Sequence, residues 1–315
     1  MKKDSFTYDA ADNAKIFTYR WLPDAQSDVK AVIQISHGMA EHAARYERFA
    51  KALVDTGYAV YANDHRGHGK TAGSPENLGH FADEKGWETV VDDLHLLTGI
   101  IKKENPKVPV FLFGHSMGSF FARHYAMLYG NEIAGLVLSG TGGDPGIGGK
   151  IALFIGKREA NKKGKQTKST KMNNLLFGMY NKAFKPNRTK FDWLSRDTAE
   201  VDKYVADPLC GNIMTNGLYC DVIKGLFFIN KFENIIKIPK NLPIYLFSGT
   251  DCPVGAKTPW SGKTKGVLQV YNDFVKAGIK DVTYKLYPNG RHEMLNEINR
   301  DEVFKDVLAW LNKHR

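Results

Sequence analysis

The sequence predicts an α/β fold, with a mostly parallel central sheet, helices on both faces and one inserted cap. Three observations predict it. Apolar runs of strand length alternate with helix-length segments along most of the chain. Several of these runs are continuous in Val, Ile, Leu and Phe rather than alternating, as expected for strands buried on both faces. The alternation fails between residues 141 and 240 and then resumes, which reads as an insertion into one layered domain. A chain of 315 residues with 43% hydrophobic content suits one such domain with an insert. The expected division is a core of residues 1–140 and 241–315 and a cap of residues 141–240.

Tyr8 and Ile16–Trp21 suggest an N-terminal hairpin. Ala31–Ser36, Tyr58–Ala62, Val108–Phe113, Ile133–Leu138 and Ile244–Phe247 are the buried strand candidates. Val282–Tyr287 alternates and is expected nearer an edge. Between them, Tyr46–Asp55, Trp87–Lys103, Phe120–Tyr129, Tyr271–Ala277 and Val303–Asn312 are expected as helices. The insert opens with TGGDPGIGG, passes through a lysine-rich run and becomes helix-like without a clear period.

Composition narrows the function. Net charge is +10, but residues 150–190 hold twelve Lys/Arg against the single acid Glu159. The basic character therefore belongs to the insert. A solvated loop is the plainest reading, and transient contact with an anionic lipid surface is the alternative. Nucleic acid is not expected, because 157–171 has no interleaved aromatics to stack on bases. Cys210, Cys220 and Cys252 are few, odd in number and lack metal spacing, which fits a reducing cytoplasm. No apolar core follows the N-terminal lysines, so no secretory signal is expected, and no apolar run is long enough to span a bilayer.

The chemistry is concentrated in Gly114-His115-Ser116-Met117-Gly118, between a strand candidate and a helix candidate. A serine on such a turn is strained, and glycines two residues to either side remove side chains that would clash. Its oxygen then stands above the sheet, and the next N–H, on Met117, faces a developing oxyanion. The alternative is an N-cap serine in a Gly-rich turn. A serine hydroxyl needs a base and a group to orient that base. In the order Ser, acid, His, the loops after the last two strands supply Asp251 in SGTDCPV and His292 in NGRHEML. Asp221 and Asp144 are rival acids but follow no strand in the pattern. His65 and His68 read as turn-shaping residues, and His115 as a local packing residue. After the first buried strand, Gly38 permits close approach and Met39 N–H is the second oxyanion donor.

HGMAEHAARY (37–46), NDHRGHGKT (63–71), GHSMG (114–118), SGTDCPV (248–254) and NGRHEMLNE (289–297) span most of the sheet-forming chain. In these stretches the sequence resembles the monoacylglycerol lipase/lysophospholipase branch of the α/β-hydrolases, often grouped with serine aminopeptidases. The resemblance implies a serine hydrolase that cleaves monoacyl lipid esters without cofactor or metal. Its nucleophile falls on Ser116, its acid on Asp251, its base on His292 and its oxyanion donors on Met39 and Met117. Two positions depart from it: Ala40 and Ser119 stand where relatives often carry glycine. An aminopeptidase is the competing enzyme class, and it would need cap acids such as Asp192, Asp197, Glu200 and Asp202 to grip a substrate amine. A non-catalytic binding protein is the third class.

Overall fold

The computed structural model describes residues 1–24, 29–254 and 264–315. The chain begins with β1 (Lys2–Asp9) and β2 (Lys15–Leu22), which pair antiparallel. The buried strands follow as β3 (Ala31–Ser36), β4 (Tyr58–Asn63), β5 (Val110–His115), β6 (Gly135–Ser139) and β7 (Ile244–Gly249). The edge strand is β8 (Val282–Tyr287), mostly half-buried or exposed as its alternation predicts. Among the described residues these eight strands form one sheet in the order β1-β2-β4-β3-β5-β6-β7-β8. From β4 to β8 every neighbouring pair is parallel.

Helices cover both faces, because strands buried on two sides need two apolar layers. On one face lie α1 (Glu47–Val54) and the C-terminal helix (Arg300–His314), with Phe49, Phe304 and Trp310 in the core. The other face carries α2 (Gly86–Glu104), α3 (Met117–Tyr129) and the helix of Lys265–Lys276, built around Val90, Leu94, Phe121 and Val267.

Between β6 and β7 the chain leaves the sheet as an inserted cap. Its helices are α4 (Gly146–Lys163), α5 (Thr170–Phe177), α6 (Thr198–Ala206), α7 (Asn216–Ile229) and α8 (Phe232–Ile235), which makes the two core helices that follow α9 and α10. Three cap helices start on side-chain caps that satisfy a first-turn N–H: Ser169, Asp197 and Thr215. Arg123 of α3, fully buried, ties both ends of the insert to the core. It donates to Gly142 O at 2.8 Å and to Ile229 O and Asn230 Oδ1 at 3.2 and 2.9 Å. Burial lowers its pKa to about 9 against the opposing pull of Asp273.

The carboxyl ends of β3 and β5 are where the strand order reverses, the usual place for a site in such a sheet. Close approach there requires glycine. A Cβ at Gly118 would lie 2.0 Å from Ser36 O, and one at Gly114 would lie 2.6 Å from Gly118 O. Helix propensity alone favours Gly118→Ala by about 1 kcal/mol. The clash with rigid backbone has the opposite sign, so this variant should lose at least about 3 kcal/mol in denaturant unfolding. A stabilised Gly118→Ala would show that the α3–β3 approach is looser than described.

Candidate active site

Ser116 follows β5 directly and has φ 51° and ψ −121°, an unfavourable conformation for a residue with a Cβ. Its N–H is held by Ser139 O at 2.9 Å, at the end of the neighbouring β6. Its carbonyl accepts from Ser119 Oγ at 2.5 Å, so the serine found in place of a common glycine clamps the turn. Met117 is the first residue of α3, and its N–H belongs to the unpaired first turn.

The loop after β3 reaches the same point. A Cβ on Gly38 would lie 3.3 Å from Ser116 Cβ. Gly38 N–H is bound by Glu41 Oε1 at 2.6 Å, whereas Met39 N–H has no internal acceptor among the described residues. Ala40 adopts φ 58°, so the loop takes a left-handed residue without glycine's freedom, at a cost of roughly 1–2 kcal/mol. The cap offsets this by holding the Ala40 carbonyl, which accepts from Gly211 N at 2.9 Å and Tyr204 Oη at 2.8 Å.

His292 lies on the loop after β8 and is 2% exposed. Its ring is 4.7 Å from that of His115 and 5.1 Å from that of Trp193 in the cap. A Cβ at Gly140, just beyond β6, would lie 3.0 Å from His292 Cε1. Burial pushes its pKa well below 6.5, with His115 acting the same way and Glu293 opposing. The imidazole is therefore neutral and able to accept a proton.

A cysteine lies beside its Nδ1. Cys252 Sγ lies 3.1 Å from His292 Nδ1. Asp251, expected there, is one residue earlier, half-buried, with its backbone N–H bound to Gly290 O at 2.9 Å. The sulfur on Nδ1 belongs to the residue that follows Asp251 in the same loop. The rival acids are elsewhere: Asp144 is exposed and accepts from Gly146 N, and Asp221 pairs with Lys224.

Sequence reasoning missed the ion network behind the site. Arg45 bridges Glu41 at 2.5 Å and Glu293 at 2.7 Å, and its guanidinium covers the Tyr204 ring. Burial would raise the Glu293 carboxyl, but Arg45 overrides it and holds it at about 2. The network thus joins the loop after β3 to the loop bearing His292. The i,i+4 spacing of Glu41 and Arg45 was the available signal. Trp193 was also missed. Its segment is fastened to the His292 loop by Glu293 N to Leu194 O at 2.7 Å and by Arg291 Nη1 to Ser195 O at 3.1 Å.

The histidines of NDHRGHGKT shape the turn, as expected. His37 Nε2 accepts from His65 N at 2.9 Å, so its Nδ1–H donates to Gly38 O at 2.7 Å. His42, Asp207 and Cys210 place three potential metal donors within 4.8 Å of one another. His42 Nε2 is already 2.8 Å from Asp207 Oδ2, and burial pushes the Cys210 thiol up, away from the thiolate a metal needs. This group reads as a polar seam between cap and core.

A strained serine above a parallel sheet, with a neutral histidine one loop away, is the arrangement of a serine hydrolase on the α/β-hydrolase fold. The chain belongs to the family described as Serine aminopeptidase, S33, which matches residues 27–299. It is 28% identical to the monoacylglycerol lipase of Mycolicibacterium smegmatis over 294 residues, 93% of this chain and 91% of that protein. The human monoglyceride lipase is 28% identical over 307 residues, 96% of this chain and 88% of that protein. A thermostable carboxyl esterase from Bacillus coagulans, solved with glycerol, superposes with a TM-score of 0.90 at 30% identity. The match covers 100% of this chain and 99% of that one.

Burial lowers the pKa of His37, His65, His68, His115, His124 and His292, to about 3 for His65 and about 4 for His68 and His124. An unfolded chain binds protons at these rings near pH 6.5, and the folded chain only near the lower values. Stability present above pH 6.5 is therefore lost as pH falls through that window. Urea unfolding should show a loss of more than about 2 kcal/mol between about pH 7.5 and about pH 5, before most carboxylates titrate. A flat profile over that range would mean that these rings are not buried neutral.

Proposed function

We propose that the protein is a serine esterase hydrolysing carboxylic esters of monoacyl lipids, of the monoacylglycerol or lysophospholipid type, through an acyl-enzyme. The observation that carries this reading is Ser116, held at positive φ at the start of α3 and close to the Gly38 loop, in a chain whose His292 is buried and neutral. Ser116 Oγ attacks the ester carbonyl while its proton passes to His292 Nε2. The carbonyl oxygen becomes an oxyanion facing Met39 N–H and Met117 N–H. Collapse breaks the ester C–O bond, and His292 protonates the leaving alcohol. Water, deprotonated by His292, then attacks the acyl carbon and releases the fatty acid and Ser116.

An apolar substrate is supported by the cap, with residues 141–240 proposed as the specificity unit. Phe177, Tyr180 and Trp193 form an aromatic wall that ends on the His292 ring. Three sequence stretches are candidate acyl-pocket walls: Ile151–Ile155, Leu175–Tyr180 and Leu226–Ile229. In the last two, Leu176, Phe177, Tyr180 and Leu226 to Phe228 pack partly buried against the core, while Leu175 and Met179 are exposed. In the first, Ile151 and Phe154 are 54% and 67% exposed. With Ile147 they make an outward apolar stripe at i, i+4, i+7 on α4, among Lys150, Lys157 and Arg158. That face suits transient docking on an anionic lipid surface. The lysines of the following run are less available: Lys163 pairs with Glu159 and Lys165 with Glu84. No described helix is long and apolar enough to cross a membrane. The three buried cysteines form no disulfide among the described residues, which supports a reducing compartment such as the cytoplasm.

The aminopeptidase alternative is weakened by its own candidate acids. Asp192 accepts from Thr189 and Arg188 N, Asp197 pairs with Arg300, Glu200 with Arg48 and Lys203, and Asp202 with Arg188. The similarity to two monoacylglycerol lipases and a carboxyl esterase also favours ester over peptide substrates.

Ser116→Ala and His292→Ala should each lower kcat by roughly 10³-fold or more on a monoacylglycerol, because the two act as a unit. Near-normal turnover by purified Ser116→Ala would sink the assignment. The stripe is tested separately. The double variant Ile151→Ser, Phe154→Ser should hydrolyse a short soluble ester at close to the parental rate and act several-fold more slowly on anionic vesicles carrying monoacylglycerol. Equal rates on those vesicles would leave the stripe without a role at lipid surfaces.

A further inference from the structure

We propose that Cys252, rather than a carboxylate, is the residue that positions His292, making Ser116, His292 and Cys252 the working set of this enzyme. The inference rests on the esterase reading above. Its basis is local geometry. The loops after β7 and β8 meet where a Cβ on Gly249 would lie 1.9 Å from Gly290 O, so only glycine permits the approach. Thr250 N–H is bound to Tyr287 O and Asp251 N–H to Gly290 O, both at 2.9 Å. This pinning places the next side chain, Cys252, with its sulfur 3.1 Å from His292 Nδ1, at 0% exposure.

Two of the sulfur's contacts, with His292 and with Val254, together select one tautomer. Cys252 Sγ is 3.8 Å from Val254 O, within reach of an S–H donor. With the S–H on Val254 O, a sulfur lone pair faces Nδ1 and accepts its N–H. Nε2 is then left unprotonated toward Ser116, as the general base requires. Cys252 is thus a positioning residue that fixes a tautomer without supplying the negative charge a carboxylate would add. The groups facing His292 are His115 from the end of β5, Trp193 from the cap, Cys252 from the loop after β7 and Glu293 from its own loop. Glu293 is the carboxylate among them, and it is engaged by Arg45 at 2.7 Å. The imidazolium formed during catalysis is accordingly less stabilised here than in an enzyme with an acid on Nδ1.

The experiment measures kcat, KM and the pH dependence of kcat/KM on a short soluble ester for Cys252→Ala, Cys252→Ser, Cys252→Asp and Asp251→Asn, with fluorophosphonate labelling of the parent. Cys252→Ala should lower kcat about 10- to 100-fold with KM nearly unchanged, and Cys252→Ser should recover part of the loss. Cys252→Asp should raise kcat about tenfold or more above the parent. It should also move the acid limb of the pH profile upward, since a carboxylate on Nδ1 favours the protonated ring. A residue that merely fills space would not move that limb. If Cys252→Ala does not fold, as judged by thermal unfolding, Cys252→Ser and Cys252→Asp carry the test through the same limb. Parental kcat and pH profile in the Cys252 variants, with a loss of roughly 10³-fold in Asp251→Asn, would overturn the proposal and return the orienting role to Asp251. Absence of fluorophosphonate labelling at Ser116 in the parent would instead overturn the esterase reading itself.

Discussion

Ser116 is held at φ 51°, a conformation that costs a non-glycine residue on the order of 1–3 kcal/mol, and its surroundings make relaxation more costly still. Its amide is bound to Ser139 O and its carbonyl to Ser119 Oγ. Rotation of the turn would break both bonds in a buried place, leaving polar groups unpaired. Below it, Gly118 lets α3 pack directly on the end of β3. The same contact that strains the serine also brings the loop bearing Met39 beside it. One steric constraint therefore places both the strained serine and the loop proposed to supply the second oxyanion donor.

The cap is part of that constraint as well as a cover over it. Tyr204 and Gly211 hold the carbonyl of left-handed Ala40, so the shape of the oxyanion loop depends on cap residues. Residues 192–196 grip the His292 loop through Arg291, Leu194 and the Arg196–Glu297 pair. Behind both loops, Arg45 joins Glu41 to Glu293 in a nearly dry ion network. A network of this kind contributes little net stability once desolvation is counted, but breaking one member is expensive. Its value lies in fixing the separation of the two loops. Substitutions in the cap can therefore reach the chemistry without touching substrate.

Much of this was legible beforehand. The five buried strands were readable because continuous Val, Ile, Leu and Phe leave no polar face to expose, and the edge position of β8 followed from its alternation. Ser116 and His292 were readable because a glycine-flanked serine and a histidine in a loop after a strand have few other reasons to occur in that order. The cap was not. Its helices are short, its apolar residues serve the core, a pocket wall and an exposed stripe at once, and no single period describes them. Ile151 and Leu153 lie two residues apart on α4, yet one is exposed and the other packs against the core. Trp193 escaped notice for a related reason: its role comes from the fold bringing residue 193 to residue 292, which no local pattern announces.

The difference between Asp251 and Cys252 turns on a single residue of loop register. Motif order identifies which loop faces the histidine, but only the Gly249–Gly290 contact decides which side chain of that loop reaches Nδ1. The chemical consequence is large. In the proposed set the group on Nδ1 is a fully buried thiol, which as S–H carries no charge. His292 then has a partner that sets its tautomer but no counter-charge to share when it becomes an imidazolium. In the proposed mechanism the transition state then leans more heavily on the Met39 and Met117 amides, since preorganised donors act more strongly where water is excluded. On that proposal the Ala40 turn and the cap residues that brace it offset a neutral partner on the histidine by fixing the donors at the oxyanion.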